Sequence, residues 1–334
     1  MATVTAEIER LLKAKDRQLA GGAETMRGML AEIKTQVVDE LSRVRGGSYT
    51  ALHLKSNLAS IERYLQGFAT AGSSEMNRIL DAAWESGADL VPAALRAGGI
   101  GVAFGHIPGP LLVTLKEFSY HKIGGVAGDA FTKIRGELSL GILGQKTPDQ
   151  VIDAIAGTLT SKGVFDSIEE RAMVIAKTEM GRAYSTATQE GMGQASASVP
   201  ELQKQWWHAG HPARPRRSHL ALHGQIRPVN EHFVTGTLSI DYPRAPSAPA
   251  SEVIRCGCDH VPYHPAWGKE TLPIYNERGK VIARRGPWTG EEEDLSGKFI
   301  LGQKRPPAGV DLSQPVTVQE GQQGQGHKIR PRKG

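Results

Sequence analysis

Cysteine is nearly absent: Cys256 and Cys258 are the only two in 334 residues. A disulfide between them would close a very short, strained loop, so an oxidised secreted scaffold is not expected and a reducing compartment fits better. An export signal is lacking too, because Met1-Ala2-Thr3-Val4-Thr5-Ala6-Glu7 has no basic-then-apolar layout. No run is long and apolar enough for a bilayer. The most apolar stretch, Ile100 to Leu115, is interrupted by His106, Pro108, Gly109 and Pro110, which predicts a buried loop-and-helix segment and no membrane requirement for folding. Familiar catalytic signatures are missing as well. There is no His-Glu-x-x-His, no Gly-x-Ser-x-Gly and no phosphate-cradling glycine loop, so no enzyme class is signalled, and no internal repeat occurs.

What is present is enough to fold. Hydrophobic residues make up 39% and charged residues 22%, which supports buried cores over most of the chain and two or three modest domains. The net charge of +5 and the isoelectric point near 9.1 favour a polyanionic partner. Where that charge sits matters more than its sum.

The pattern predicts an α+β protein: a helical N-terminal region, a small mixed α/β module and an extended C-terminal tail. Residues 1–95 read as a helical bundle or arm. Two helices are expected up to about Val44, broken at Gly21-Gly22, and the stripe Leu54, Leu58, Ile61, Leu65 and Phe68 follows at helical spacing. Ser73-Ser74 reads as the cap of a further helix carrying Met76, Ile79, Leu80, Ala83 and Trp84. Residues 96–146 form a glycine-rich connection with a helix expected over Gly128 to Ile142.

Residues 147–264 form the module. Thr147-Pro148-Asp149-Gln150 carries a capping box that starts a helix running to about 159, and Ser167-Ile168-Glu169-Glu170 opens a longer one reaching about Gln189, ended by Gly191 and Gly193. Phe233-Val234 and Glu252 to Cys256 read as short β runs. From 265 to 334 the apolar content thins, and an extended or flexible tail is expected.

Two constellations carry chemistry. Between Trp206 and Asn230 stand Arg214, Arg216, Arg217 and Arg227, with His208, His211, His219 and His223 and no acid. Arginine forks fit phosphate oxygens and paired indoles could stack on bases, so nucleic-acid contact is one reading. The other is that Trp206 and Trp207 are core and the arginines pair with acids such as Glu179 or Glu252. A second basic element, Lys328, Arg330, Arg332 and Lys333, ends the tail. The other constellation is His219-x3-His223 with Cys256-x-Cys258, followed by His260 and His264. Thiols and imidazoles are zinc ligands, although zinc pairs usually have two or more residues between cysteines. The alternatives are a metal-dependent nuclease or hydrolase using His219, His223, Cys256 and Cys258, or reduced cysteines at a strand end with hydrogen-bonded histidines and no cofactor.

The order Arg171, Ile175 to Ala183 (with Glu179 and Arg182), Trp206-Trp207-His208-Ala209-Gly210, Pro215 to His219, His223-Gly224, Tyr242-Pro243 and Glu252 to Cys258 resembles the phage Mu F-like head morphogenesis family. The likeness covers about 150 to 260, and the joint order of the motifs is what is specific. It implies a minor capsid protein of a tailed phage, in few copies inside the virion head, made in the host cytoplasm. The implied partners are the portal protein, capsid or scaffold proteins and double-stranded DNA. Some relatives carry toxin domains, but the proline- and glycine-rich tail has little capacity for such a cargo. Two positions depart from the commoner pattern: His211, where an acid is usual, and Gly257, where a basic residue is usual. A pure scaffold module without DNA contact is the competing structural reading.

The tail cations give a first prediction. Truncation after Gln325 should flatten the salt dependence of duplex-DNA binding, by about 0.9 in the log–log slope for each phosphate contact removed. A salt series of binding isotherms on the intact and truncated chains checks it.

Overall fold

The computed structural model describes residues 3–43, 51–105, 107, 109–156, 164–208, 216–236, 238–268, 272–275 and 281–287. Five helices come first: α1 (Val4–Ser42), α2 (Ala51–Ala97), α3 (Pro110–Ile142), α4 (Pro148–Ala156) and α5 (Val164–Ser196). The rest mixes short strands and turns: β1 (Gln203–His208), α6 (Arg217–Leu222), β2 (Ile226–Pro228), β3 (Phe233–Thr235), β4 (Leu238–Ile240), α7 (Ala250–Val253), β5 (Cys258–Tyr263), β6 (Leu272–Tyr275) and β7 (Val281–Arg285). This is the α+β arrangement that the sequence predicts.

Several boundaries differ, each for a packing reason. Gly21-Gly22 does not break α1. A Cβ on Gly22 would lie 2.6 Å from Met180 Sδ, so this glycine lets α1 approach α5 and makes no turn. Ser73 and Ser74 do not cap a helix either. Inside α2 their hydroxyls donate to the carbonyls of Ala69 and Thr70 at 2.6 and 3.1 Å, the back-bonding open to serine within a helix. The glycine-rich connection is largely α3, which begins at Pro110, ahead of the expected Gly128. Burial of Leu115, Ile123, Val126, Ala130, Ile134 and Leu138 outweighs the weak helix propensity of its glycines.

The Thr147 box forms as expected, Gln150 N–H donating to Thr147 Oγ1 at 3.3 Å and Thr147 N–H to Gln150 Oε1 at 2.9 Å. α5 starts at Val164, before Ser167, and passes through Gly191 and Gly193 to Ser196. Gly191 is an ordinary helical residue facing Val91 and Ile107. Phe233-Val234 lies in a strand, whereas Glu252 to Cys256 does not: after Pro249 the chain turns into α7. Residues beyond 265 are not all extended tail. Pro265–Trp267 forms a 3₁₀ turn, and β6 pairs antiparallel with β7, Leu272 opposite Arg285. Residues 288–334, including Lys328, Arg330, Arg332 and Lys333, lie outside the described residues.

The largest core unites α1 to α5, with Met26, Leu30, Ile61, Phe68, Leu80, Ile123, Ile134, Ile155, Ala172 and Ala176 at its centre. The helical arm and the first helices of the module therefore share one interior. The three-stranded sheet runs β2-β1-β5, antiparallel throughout, with β1 central. Successive strand residues point to opposite faces. Trp207 accordingly packs with Ile8, Leu12, Leu90, Tyr184 and Val261, while Trp206 packs with Leu222, Phe233, Ile240 and Cys258. Both tryptophans are fully buried core residues.

The α2–α5 crossing depends on Gly87, where a Cβ would sit 2.2 Å from the Tyr184 carbonyl oxygen. Thr188 Oγ1 bridges the two helices by donating to Gly87 O at 3.1 Å. Gly87→Ala should cost about 2 kcal/mol or more through forced separation of the helices. Gly67→Ala, where no neighbour lies within 4 Å, should instead stabilise by about 0.5–1 kcal/mol. Chemical denaturation of both variants checks the contrast.

Candidate functional site

The start of β5 gathers most of the module's polar chemistry. Arg255, at the end of α7, holds φ +58°, a left-handed conformation that costs energy for a residue with a side chain. Cys256 N–H then donates to Val253 O at 3.0 Å, and Gly257 leads to Cys258. α6 presents His219 to this turn. Its Nδ1 lies 3.5 Å from Cys256 Sγ and 3.6 Å from Cys258 Sγ, and its Nε2 lies 2.8 Å from Glu252 Oε2. An ionised carboxylate only accepts, so in the neutral ring Nε2 carries the hydrogen and Nδ1 turns its lone pair toward the sulfurs.

Both cysteines are free, Cys256 half-buried and Cys258 buried. A hydrogen bond from Cys258 holds the Cys256 thiol well below its usual range, against burial and with help from His219 and Arg244. Burial, reinforced by Cys256, pushes the Cys258 thiol well up.

The expected four-residue metal set is not assembled as predicted. Among the described residues, the group within 4.8 Å comprises His219, Cys256 and Cys258. His223 is diverted, because its Nδ1 accepts from the His208 backbone N–H at 3.0 Å. His260 is buried and stacks on Tyr242 at 5.3 Å, with burial keeping its ring well below the usual imidazole range. His264 Nε2 meets Pro200 O at 2.9 Å, and its Nδ1 accepts from Ala266 N–H.

Behind the cysteine turn lies a buried ion cluster that reading by motif missed. Asp259, fully buried, accepts from Lys15 Nζ on α1 and from Arg244 Nη2 at 2.8 Å. Burial alone would raise its carboxyl, but Lys15 and Arg244 outweigh that and hold it below the usual value. Arg244 also donates to Cys256 O at 2.8 Å and Ser185 Oγ at 2.9 Å. Gly181 permits this, since a Cβ there would lie 2.8 Å from Arg244 Nε. Lys15 lies far from any quoted motif, and Arg244 directly follows the Tyr242-Pro243 motif without being part of it. The one signal was Gly181 inside an otherwise helix-forming run.

Glu179 is fully buried between Lys122 at 2.8 Å and Arg182 at 2.9 Å, each of its oxygens engaged by a cation. It is a structural carboxylate. Of the arginine segment, Arg216 donates to Ile254 O at 2.7 Å and lies 3.9 Å from Glu252, so the fold brings an acid to it that the local sequence lacks. Arg227 lies 3.9 Å from Glu231. Arg217 begins α6, and Arg214 lies outside the described residues, as does His211.

Two cavities flank the cysteine turn. A groove of about 970 Å³ is lined by Lys122, Arg171, Arg216 and Arg255 with Glu170 as its acid. These cations come from α3, α5, α6 and the α7 turn, which is why no single stretch of sequence revealed them. A second cavity of about 780 Å³ lies between α1 and α5, bounded by Lys15, Leu19, Met173, Lys177, Arg244 and Cys256.

Residues 141–261 match the family described as Phage Mu protein F like protein. That span runs from the end of α3 through β1 to Val261 in β5 and contains the cysteine turn. This segment, just over a third of the chain, is similar to that family. No curated protein and no solved structure matches the chain. No helix among the described residues is long and apolar enough to cross a membrane.

Removing one member of a buried ion cluster is costly when it leaves another charge uncompensated, and much less so when the remaining charges still pair with each other. Asp259→Ala should therefore cost about 3–5 kcal/mol, because it leaves buried Arg244 without a carboxylate and Lys15 with Asp16 alone. Lys15→Met, which leaves Asp259 bonded to Arg244, should cost on the order of 1 kcal/mol. Urea denaturation of the single variants and the double variant measures the coupling.

Proposed function

We propose that this chain is a minor capsid protein of a tailed phage, acting in head assembly beside the portal and the packaged DNA, with a structural rather than an enzymatic role. The observation that carries this reading is the family match over 141–261, on a module whose helices are built into the same core as the N-terminal arm. In this reading α1 to α3 provide the protein-contacting part. The exposed Leu111, Val113, Phe118 and Tyr120 of α3 support a contact with the portal or another head protein. The groove between α3, α5 and α6 supports DNA contact, since Lys122, Arg171, Arg216 and Arg255 line it and phosphates could compete for them with their present partners Glu179, Asp129, Glu252 and Glu170. Arg216 lines it, and Arg214, Arg217 and Arg227 belong to the same basic segment of the sequence. The protein then resides in the head interior of the virion and is made in the host cytoplasm.

Quantitative mass spectrometry of purified virions tests the role: the chain should co-purify at a few copies relative to the portal protein, and its absence would refute the assignment. DNA contact is tested by binding to duplex of arbitrary sequence across a salt series. The intact chain should show a log–log slope of roughly −0.9 per phosphate contact, reduced by the triple change Arg214→Ala, Arg216→Ala, Arg217→Ala and by Arg171→Ala, Arg255→Ala. A slope of zero for the intact chain would favour a scaffold that does not touch DNA.

A further inference from the structure

We propose that His219, Cys256 and Cys258 form a zinc(II) site that ties α6 to the start of β5. The geometry is the first argument. In a tetrahedral shell with Zn–S near 2.3 Å and Zn–N near 2.0–2.1 Å, a sulfur and a nitrogen ligand fall about 3.6 Å apart. His219 Nδ1 stands 3.5 and 3.6 Å from the two sulfurs. One ring nitrogen has one lone pair or one hydrogen and cannot serve two sulfurs equally. A cation between the three atoms satisfies all of them.

The surroundings are those a zinc site requires. Glu252 takes the other ring nitrogen at 2.8 Å, the carboxylate–histidine–metal relay that fixes the tautomer and directs Nδ1 at the metal. Arg244, donating to Cys256 O at 2.8 Å, and the left-handed Arg255 set the turn that aims both thiols to one side. This is how a pair separated by a single glycine can chelate where a wider spacing is usual. Two thiolates neutralise the dication, and Arg244 is already matched by Asp259. Cys256 lines the cavity of about 780 Å³, which gives the ion a way in. Three protein ligands leave the fourth position to water or an exogenous ligand. The site would cross-link residues 37 and 39 positions apart in sequence, fastening a helix and a strand that share few other bonds.

The test uses the full chain, expressed with added zinc, purified without chelator and kept reduced. Elemental analysis should give about one zinc per chain, as for a single tetrahedral site. His219→Ala, Cys256→Ser and Cys258→Ser should each lose most of it. His223→Asn, whose amide oxygen takes over the acceptor place of Nδ1, should retain it. If the cysteine variants fail to fold, cobalt(II) incorporated into the unaltered chain decides: intense visible bands of a tetrahedral ion with thiolate-to-cobalt absorption are expected. Three results would overturn the proposal. These are a zinc-free chain with two titratable thiols, full zinc in folded Cys256→Ser and Cys258→Ser variants, or a weak octahedral cobalt spectrum without thiolate absorption.

Discussion

The interaction on which the rest depends is the burial of Asp259 between Lys15 and Arg244. Two cations and a carboxylate inside a core are tolerable only when each is matched in place, here with Asp16 as the second acid 3.2 Å from Lys15, because an unmatched charge costs several kcal/mol. Lys15 can reach Asp259 only if α1 lies along α5. Arg244 can do so only if the loop before α7 folds over Gly181. The cluster thus fixes a helix, a strand and a loop in one arrangement. Generic apolar packing would tolerate small slips among them; this cluster does not.

From that fixed point the module's other features follow. β5 is pinned at Asp259, so β1 is set in register with Trp207 opposite Asp259 and Trp206 opposite His260. One indole then faces the helices and the other the small β3–β4 side. Cys258 precedes Asp259 and therefore faces the Trp206 side, where α6 brings His219. The cysteine turn and the ion cluster are two faces of the same strand entry, joined through the Arg244 contact to Cys256 O.

Legibility in the sequence followed the range of the forces involved. Short-range chemistry was readable: the Thr147 capping box and the apolar stripe of α2 form where their patterns put them. Glycine was the main source of error. Gly22, Gly87 and Gly181 answer to contacts with distant backbone or side chains, and sequence alone cannot distinguish close approach from a turn. The same holds for the site. The cysteines and His219 were visible as chemistry, whereas Glu252 as the partner of His219 became clear only once α6 and α7 met. His223 looked equivalent to His219 by spacing. Only the strand pairing of His208 shows that its ring serves the backbone. Lys15 had no signal at all, being one lysine in an amphipathic helix, and its importance arises from a carboxylate 244 residues away.

That separation has a consequence for how the chain is made. Synthesis proceeds from the N-terminus, and the acid that Lys15 requires is among the last core residues to emerge. Until then the first turns of α1, with Val4, Ile8 and Leu12, lack the Trp207–Val261 side of their core, Lys15 has only Asp16 beside it, and the sheet lacks its third strand. Contacts of such high sequence separation slow folding and prolong the exposure of sticky intermediates. Nascent chains should therefore pass through a stage in which the C-terminal part of α1 is packed with α2 to α5 while its first turns await β1 and β5. Completion of β5 would close that stage in a single late step.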